Sequence, residues 1–415
     1  MISSGFYVYI TLPGQTSAVT AGRFELKKNK NGVAIGRFVY GKKYLERQDA
    51  VPLDPLQLKL AKRVYETTQL NGVFGAIRDA GPDYWGRRII ERHVGKQDLS
   101  ELDYLLYSPE DRAGALSFGL NQPPPAPRQK FNQTLELAFL QQTADAIINS
   151  NLSSSQIEEL LLIGTSMGGA RPKVVVEDLA GLWLAKFNRL DDLWNFARVE
   201  HAMLSLGRSC GLITATSRVV SVAGRDVLLV KRFDREKINT GYLKARMISA
   251  LTLLGTEDTY QVREKWSYVL LAEELRRVSS NPEQDAIELF KRMCFNALIS
   301  NTDDHPRNHA LIAKDFDWRL SPAYDLIPGP LVSLERRDLA LDIGAWGRYA
   351  NAHNILSNCE RFLLKPEKAK NIVDTMKKQV KESWYSVARS CGVSEKDCET
   401  ISGAFVYPGF SLHPS

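Results

Sequence analysis

The chain has 415 residues, of which 44% are hydrophobic and 25% charged, with a formal net charge of +6. That length predicts more than one domain, and the composition is that of a folded globular protein. No apolar run reaches the roughly 18 residues that cross a bilayer, and "MISSGFYVYI" lacks the basic n-region of a signal peptide. Five cysteines without CxxC spacing point to a reducing cytoplasm and away from a disulfide framework. The mild basicity permits nucleic-acid contact without requiring it.

In chain order, "FYVYITL", "AGRFEL" and "GVAIGRFVY" are rich in aromatic and β-branched residues between turn signals, and read as strands. "LDPLQLKLAKRVYETT" reads as a short helix or turn, and "PDYWGRRIIERHV" as a helix over Tyr84–Val94 behind a Pro-Asp start. The four prolines of "NQPPPAPRQK", residues 121–130, mark a semi-rigid linker and a boundary at residue 128. Beyond it, "TLELAFLQQTADAIINS" has helical spacing. Strands follow at "KVVVED", "LWLAKF" and "DVLLVKRF", with helices from about Phe196 to Cys210 and from about Ala245 onward. The expected class is α+β, a β-rich N-terminal part (1–128) followed by a mixed and then helical part (129–415), compatible with a small β lobe over a larger helical lobe.

Four stretches carry chemistry. In "LLIGTSMGGARPKVVVED", Gly164, Gly168 and Gly169 let backbone amides approach an anion. Thr165, Ser166, Arg171 and Lys173 add further donors. GxxxxGK[ST] spacing is absent and a strand follows, so the stretch is no Walker loop; an ordinary turn is the alternative. Lys186 stands alone in the apolar run "LWLAKF", and Glu200 follows 14 residues later on a helix. A strand lysine paired with a helix glutamate holds ATP phosphates in protein kinases; a purely structural ion pair is the other reading.

In "SNTDDHPRNHALI", Asp303 and Asn308 are five positions apart, the separation of Asp and Asn in a kinase catalytic loop. Phosphoryl transfer needs a carboxylate to take the hydroxyl proton and an oxygen ligand for magnesium. The rival is zinc on His305 and His309, which Pro306 disfavours by breaking the helix that would align them. In "WRLSPAYDLIP", Asp325 follows Asn308 by 17 residues and can complete a metal site, or it can be a turn aspartate. "DVLLVKRFDR" ends a strand where a kinase hinge would begin. Lys231 and Phe233 are then candidates to meet the nucleotide, unless Phe233 is a core residue followed by a surface charge cluster. The run from Arg361 to Lys381 carries seven basic residues, either a solvated helix face or a site for phosphate contacts.

Together these motifs resemble the HipA family, bacterial serine/threonine kinases that act as toxins of toxin–antitoxin pairs. "GRFVY", "GVFGAIRDAGPDYWGRR" and "DRAGALSFG" look like its N-terminal subdomain. "GTSMGGARPK", "LAKF", "VKRFDR", "NTDDHPRN" and "SPAYDLIP" then follow in the family's order. The resemblance implies a two-lobed protein-kinase-like fold that uses ATP and Mg2+. It implies Lys186 on the ATP phosphates, Asp303 as catalytic base, and Asn308 and Asp325 as magnesium ligands. Ser166 falls at the loop serine that family members phosphorylate on themselves, with Thr165 beside it; Lys173 matches the lysine closing that loop. Asp304 stands where the family usually has glycine and Pro306 where it has alanine, departures expected to alter loop rigidity without removing catalytic groups. Implied partners are a HipB-like helix-turn-helix antitoxin with its operator DNA and a protein substrate such as an aminoacyl-tRNA synthetase. Two other readings remain from the sequence: a catalytically silent corepressor, and a kinase for a small molecule or lipid.

Overall fold

In the computed structural model, which describes residues 4–97, 99–128, 131–148, 171–329 and 333–412, the early apolar alternation becomes three strands. These are β1 (Gly5–Thr11), β2 (Ala18–Lys28) and β3 (Ala34–Tyr40). Along β3, buried Gly36, Phe38 and Tyr40 alternate with exposed Arg37 and Val39, the period of a sheet with one covered face. With β4 (Val64–Thr67) and β5 (Leu116–Gly119) they form an antiparallel sheet in the order β4-β3-β2-β1-β5. Its covered face packs Phe6 between Phe24 and Phe118, at ring-centre distances of 5.2 and 4.9 Å. Gly36 is required there, because a Cβ on it would lie 1.7 Å from the Gly72 carbonyl oxygen. The expected helix or turn over "LDPLQLKLAKRVYETT" is corrected in its last part. The backbone is irregular through Lys62, and the β-branched "VYET" joins the sheet as β4.

Two helices follow. The first, α1, spans Tyr84–Val94 as its spacing predicts; the Asp83 side chain accepts from the Gly86 amide 2.7 Å away and caps it. The second, α2 (Glu101–Tyr107), opens on a capping box of Ser100 and Asp103. Residues 121–128 have no regular structure, as their prolines require. Helix α3 (Leu137–Ile148) comes next. A second sheet then runs through short β6 (Asn132–Gln133), parallel β7 (Lys173–Asp178) and antiparallel β8 (Gly181–Phe187).

By its contacts the chain divides into two units. One comprises Met1–Arg189, Lys231–Ile248 and Ile312–Asp317, and the other Leu190–Val230, Ser249–Leu311 and Trp318–Ser415. The first unit contains a buried cluster that the sequence disguises. Arg232, Asp234 and Arg235 are 3%, 2% and 9% exposed, while Lys231 and Phe233 are half-buried. The reading of a core Phe233 followed by a surface charge cluster is therefore inverted. Arg232 grips Asp234 with two nitrogens at 3.0 and 2.8 Å, Arg235 reaches it at 2.8 Å, and the Gly114 amide donates to it at 2.9 Å. The same arginines bond the carbonyls of Asp111 and Arg112 at 2.6–2.8 Å. "DRAG" is thus the loop that "KRFDR" holds.

The second unit is mainly helical. Helix α4 spans Phe196–Ser209, and β9 (Ser217–Val222) pairs with β10 (Arg225–Lys231) up to Val230. Helices α5 (Tyr268–Val278), α6 (Pro282–Leu298) and α7 (Pro366–Ser390) follow. The first element after Ala245 is a strand, Arg246–Ser249, and not a helix. Helix α6 buries charge as well as apolar groups: Arg292 bonds Glu288 at 3.1 Å and the Ser321 carbonyl at 2.5 Å. On α7, Ala369, Val373, Met376 and Val380 make a buried stripe, with Lys368, Lys378 and Lys381 on the exposed side.

Burial raises the Asp234 carboxyl, but Arg232 and Arg235 overcome it and hold the group far below the usual carboxylate range. The native state therefore stays ionised where the unfolded chain begins to take up a proton. Stability is full above the ordinary aspartate value of about 3.9 and drains away as pH falls toward the depressed native value. Replacing Asp234 by Asn should cost about 3–5 kcal/mol at neutral pH, by leaving buried guanidiniums uncompensated. It should also remove this part of the acid sensitivity. Urea unfolding followed by tryptophan fluorescence at neutral and acidic pH measures both; a variant as stable as wild type at neutral pH would refute the assignment.

Candidate active site

Helix α6 ends at Leu298, and Ser300 turns the chain at φ +53°, delivering Asn301 to the end of the helix, where its amide donates to the Asn296 carbonyl at 2.8 Å. Gly329 closes on the same turn. Its amide bonds the Ser300 carbonyl at 3.1 Å, and a Cβ on it would lie 2.5 Å from that oxygen. Proline then breaks the helical option, and Pro306–Asn308 forms a single 3-10 turn after an extended His305. Consequently His305 and His309 do not share a helix face. Within this loop the Asn308 amide nitrogen donates to the Asp303 carbonyl at 3.2 Å, so Asp303 and Asn308 belong to one closed turn. The amide oxygen of Asn308 remains an acceptor.

The Asp325 segment is tied to the same loop. Asn301 Nδ2 donates to the Asp325 carbonyl at 3.3 Å, and Tyr324 Oη donates to the Arg307 carbonyl at 2.8 Å. Asp325 sits at φ +56°, a left-handed conformation that costs a non-glycine residue of order 1 kcal/mol and persists only when its surroundings impose it. Asp303 is exposed at the loop surface, yet neighbouring protein displaces part of its hydration and pushes its carboxyl above the usual range. His305 opposes that shift, while Asp325, Asp304 and Asp258 add to it. Asp325 is thus within electrostatic reach of Asp303, and the two carboxylates repel until a proton or a cation relieves them.

Asp304, expected to alter loop rigidity without removing catalytic groups, is 1% exposed and fully engaged. Its carboxylate accepts from the Tyr268 hydroxyl and lies 3.1 Å from His309 Nε2. The adjacency of two acids in "TDD" was the available signal: neighbours in an extended loop face opposite ways, so one of them turns inward.

Lys186 lies half-buried on β8, directly opposite Lys173 of β7 in the strand register. Lys173 is 3% exposed and pairs with the α1 cap residue Asp83 at 3.1 Å. Lys231 ends β10 and Phe233 lies in the turn after it, both half-buried. These four residues belong to the first unit; Asp303, Asn308, Asp325 and Glu200, which is buried on α4, belong to the second. Thr165 and Ser166 lie outside the described residues. Among the described residues no group of three or more His, Cys, Asp or Glu side chains is arranged to hold a metal alone. Magnesium on a nucleotide asks less of the protein, one or two carboxylates beside phosphates and water.

A family model described as the HipA N-terminal domain matches residues 16–119, and one described as the HipA-like C-terminal domain matches residues 165–384. A Sinorhizobium fredii protein designated "Putative kinase Y4mE" is 29% identical over 131 residues, and a Haemophilus influenzae protein of similar designation is 25% identical over 143. The matched stretches span 31% and 32% of this chain, and only 31% and 40% of those relatives. Among solved structures, HipA of Shewanella oneidensis MR-1, determined with HipB and its operator DNA, superposes with a TM-score of 0.68 at 16% identity, covering 96% of this chain and 94% of that one. The N-terminal β-rich part, the helical C-terminal part and the two domain matches lead to one assignment: this chain belongs to the HipA family.

Proposed function

We propose that the protein is an ATP- and Mg2+-dependent serine/threonine protein kinase, the toxin of a HipA/HipB-like pair. The observation that carries this reading is the single loop that closes Asp303 against Asn308 and lies within electrostatic reach of Asp325. On this reading residues 1–128 are the N-terminal subdomain and 129–415 the kinase core. Lys186 holds ATP phosphates, with Glu200, Lys173, Lys231 and Phe233 as further nucleotide-site residues. Asp303 orients the acceptor hydroxyl and takes its proton. As that oxygen bonds the γ-phosphorus, the bond from phosphorus to the β,γ-bridging oxygen breaks and ADP leaves. Asn308 and Asp325 would hold magnesium, which offsets charge on the phosphates. A carboxyl pushed up by partial burial is a better base than an ordinary aspartate.

The partners follow from the family. A helix-turn-helix antitoxin resembling HipB, on operator DNA, is proposed by analogy with the Shewanella oneidensis complex. A translation protein such as an aminoacyl-tRNA synthetase is the proposed substrate, and Ser166 or Thr165 the site of self-phosphorylation. Five free thiols suit the cytoplasm, and no described helix is long and apolar enough to cross a membrane.

Intact mass and peptide mapping after incubation with MgATP test the activity. Phosphate on the peptide holding Thr165 and Ser166 is expected in the wild type and absent from Asp303→Ala, with transfer reduced at least about 1,000-fold and folding retained. Unimpaired transfer by Asp303→Ala would defeat the assignment of the base.

The pH profile gives a second check. Asp303 must be deprotonated to act, so activity should fall as pH drops through its raised value, and the acid limb should lie above the ordinary carboxylate range. Asp258 raises that value and pairs with Arg307 at 2.9 Å. Asp258→Asn removes a negative charge and uncovers a positive one, so the limb should move to lower pH. A limb that stays put or rises would mean that another group is being titrated.

A further inference from the structure

The loop that carries Asp303 is held from beneath by a continuous buried hydrogen-bond chain. Asn301 Nδ2 donates to the Asp325 carbonyl at 3.3 Å and also lies 3.1 Å from Asn296 Oδ1. Asn296 Nδ2 donates to Tyr268 Oη at 3.0 Å, the Tyr268 hydroxyl donates to Asp304, and Asp304 faces His309 Nε2 at 3.1 Å. Asn301, Asn296, Tyr268, Asp304 and His309 are each at most 2% exposed. The Tyr268 ring also meets the His309 ring edge-on, 5.2 Å between centres. Burial first, and then the Asp304 charge, drives the Tyr268 phenol well up, so it stays a proton donor. The chain starts at Asp325 and ends at His309, the residue after Asn308. It therefore joins the two segments that carry the proposed metal ligands.

We infer that Asp304, acting through Tyr268, Asn296 and Asn301, is a positioning residue that fixes Asn308 and Asp325 relative to one another and so sets the affinity of the site for a divalent cation. This rests on the kinase reading. Asp304 touches neither nucleotide nor metal; its effect passes through the backbone of the two ligand-bearing segments, as supporting residues around metal sites act elsewhere. Asp325 adds to the argument. Its left-handed backbone must be imposed from outside, and the Asn301 amide is one of the groups that meet it.

The test is Tyr268→Phe, which deletes one hydroxyl from the middle of the chain and keeps the ring. Circular dichroism and thermal melting establish that it folds; if it does not, Asn301→Ser, which shortens the arm to Asp325, takes its place. Magnesium binding to the ATP-bound protein is measured by calorimetry with a non-hydrolysable ATP analogue, and phosphate transfer is titrated with magnesium at saturating ATP and with ATP at saturating magnesium. The expected result is a rise of about 10–100-fold in the magnesium needed for half-maximal rate, with the ATP requirement changed far less. Asp304→Asn, which keeps the shape and one acceptor oxygen, should retain more of the wild-type magnesium response than Asp304→Ala. A folded Tyr268→Phe with wild-type magnesium dependence would overturn the inference and leave the kinase reading intact. A wild type that transfers no phosphate under any of these conditions would overturn both.

Discussion

A carboxylate removed from water must meet enough donors to replace its hydration, and this constraint fixes a key loop in each unit. In the first unit Asp234 is satisfied by two guanidiniums and the Gly114 amide, and the arginines go on to bind the carbonyls of residues 111 and 112. In the second, Asp304 is satisfied by a phenol and an imidazole on elements before and after it. A buried ion cluster of the first kind adds little net stability over well-packed apolar groups. Its consequence is geometric: one arrangement meets every donor, and a displaced loop leaves several of them unmet.

The regular parts of the fold were legible because local rules decide them. Alternation in "GRFVY" gave the covered face of β3, and the Pro-Asp start gave the Asp83 cap of α1. Spacing also grouped Asp303, Asn308 and Asp325, and side-chain bonds of Asn308 and Asn301 tie their segments together. What the sequence hid depends on partners far along the chain. Asp234 meets Gly114 across 120 positions, and Asp304 meets Tyr268 across 36. Four ionisable residues in "VKRFDR" look like surface on composition alone. Their burial becomes visible only when a loop from the N-terminal part supplies carbonyls for the arginines. Aspartate at position 304 similarly looked like a change in stiffness, because the phenol it meets, Tyr268, lies 36 positions away.

Asp303 and Asp304 are joined by one peptide bond and have opposite surroundings. Asp303 reaches the surface, where partial loss of hydration first, and then the neighbouring carboxylates, raise its carboxyl. Asp304 points inward, where each of its oxygens is spoken for and its charge is available to nothing that diffuses in. On the proposed kinase reading, the arrangement solves a problem common to phosphoryl-transfer loops. Such a loop must present exposed oxygens at fixed separations, yet exposed loops are the parts of a protein least restrained by packing. Anchoring the residue beside the reactive one brings the restraint within a single peptide unit of the chemistry. The 3-10 turn at Pro306–Asn308 and the bond from Asn308 to the Asp303 carbonyl then carry that restraint to the other end of the loop.

Strain is distributed accordingly. Ser300 and Asp325 both occupy left-handed backbone, at the entry to the loop and at the second carboxylate. Neither residue has the freedom of glycine, so each conformation must be paid for by contacts. For Ser300 these are the Gly329 amide, the Ala404 carbonyl and the Arg337 guanidinium; for Asp325, the Asn301 side chain is one of them. A backbone held off its minimum by several bonds resists collapse when nearby charge changes, and both strained positions flank the Asp303 loop. On α7, by contrast, the lysines meet surface partners, Lys370 with Asp374 and Lys377 with Ser411 Oγ, in contacts that water and salt screen.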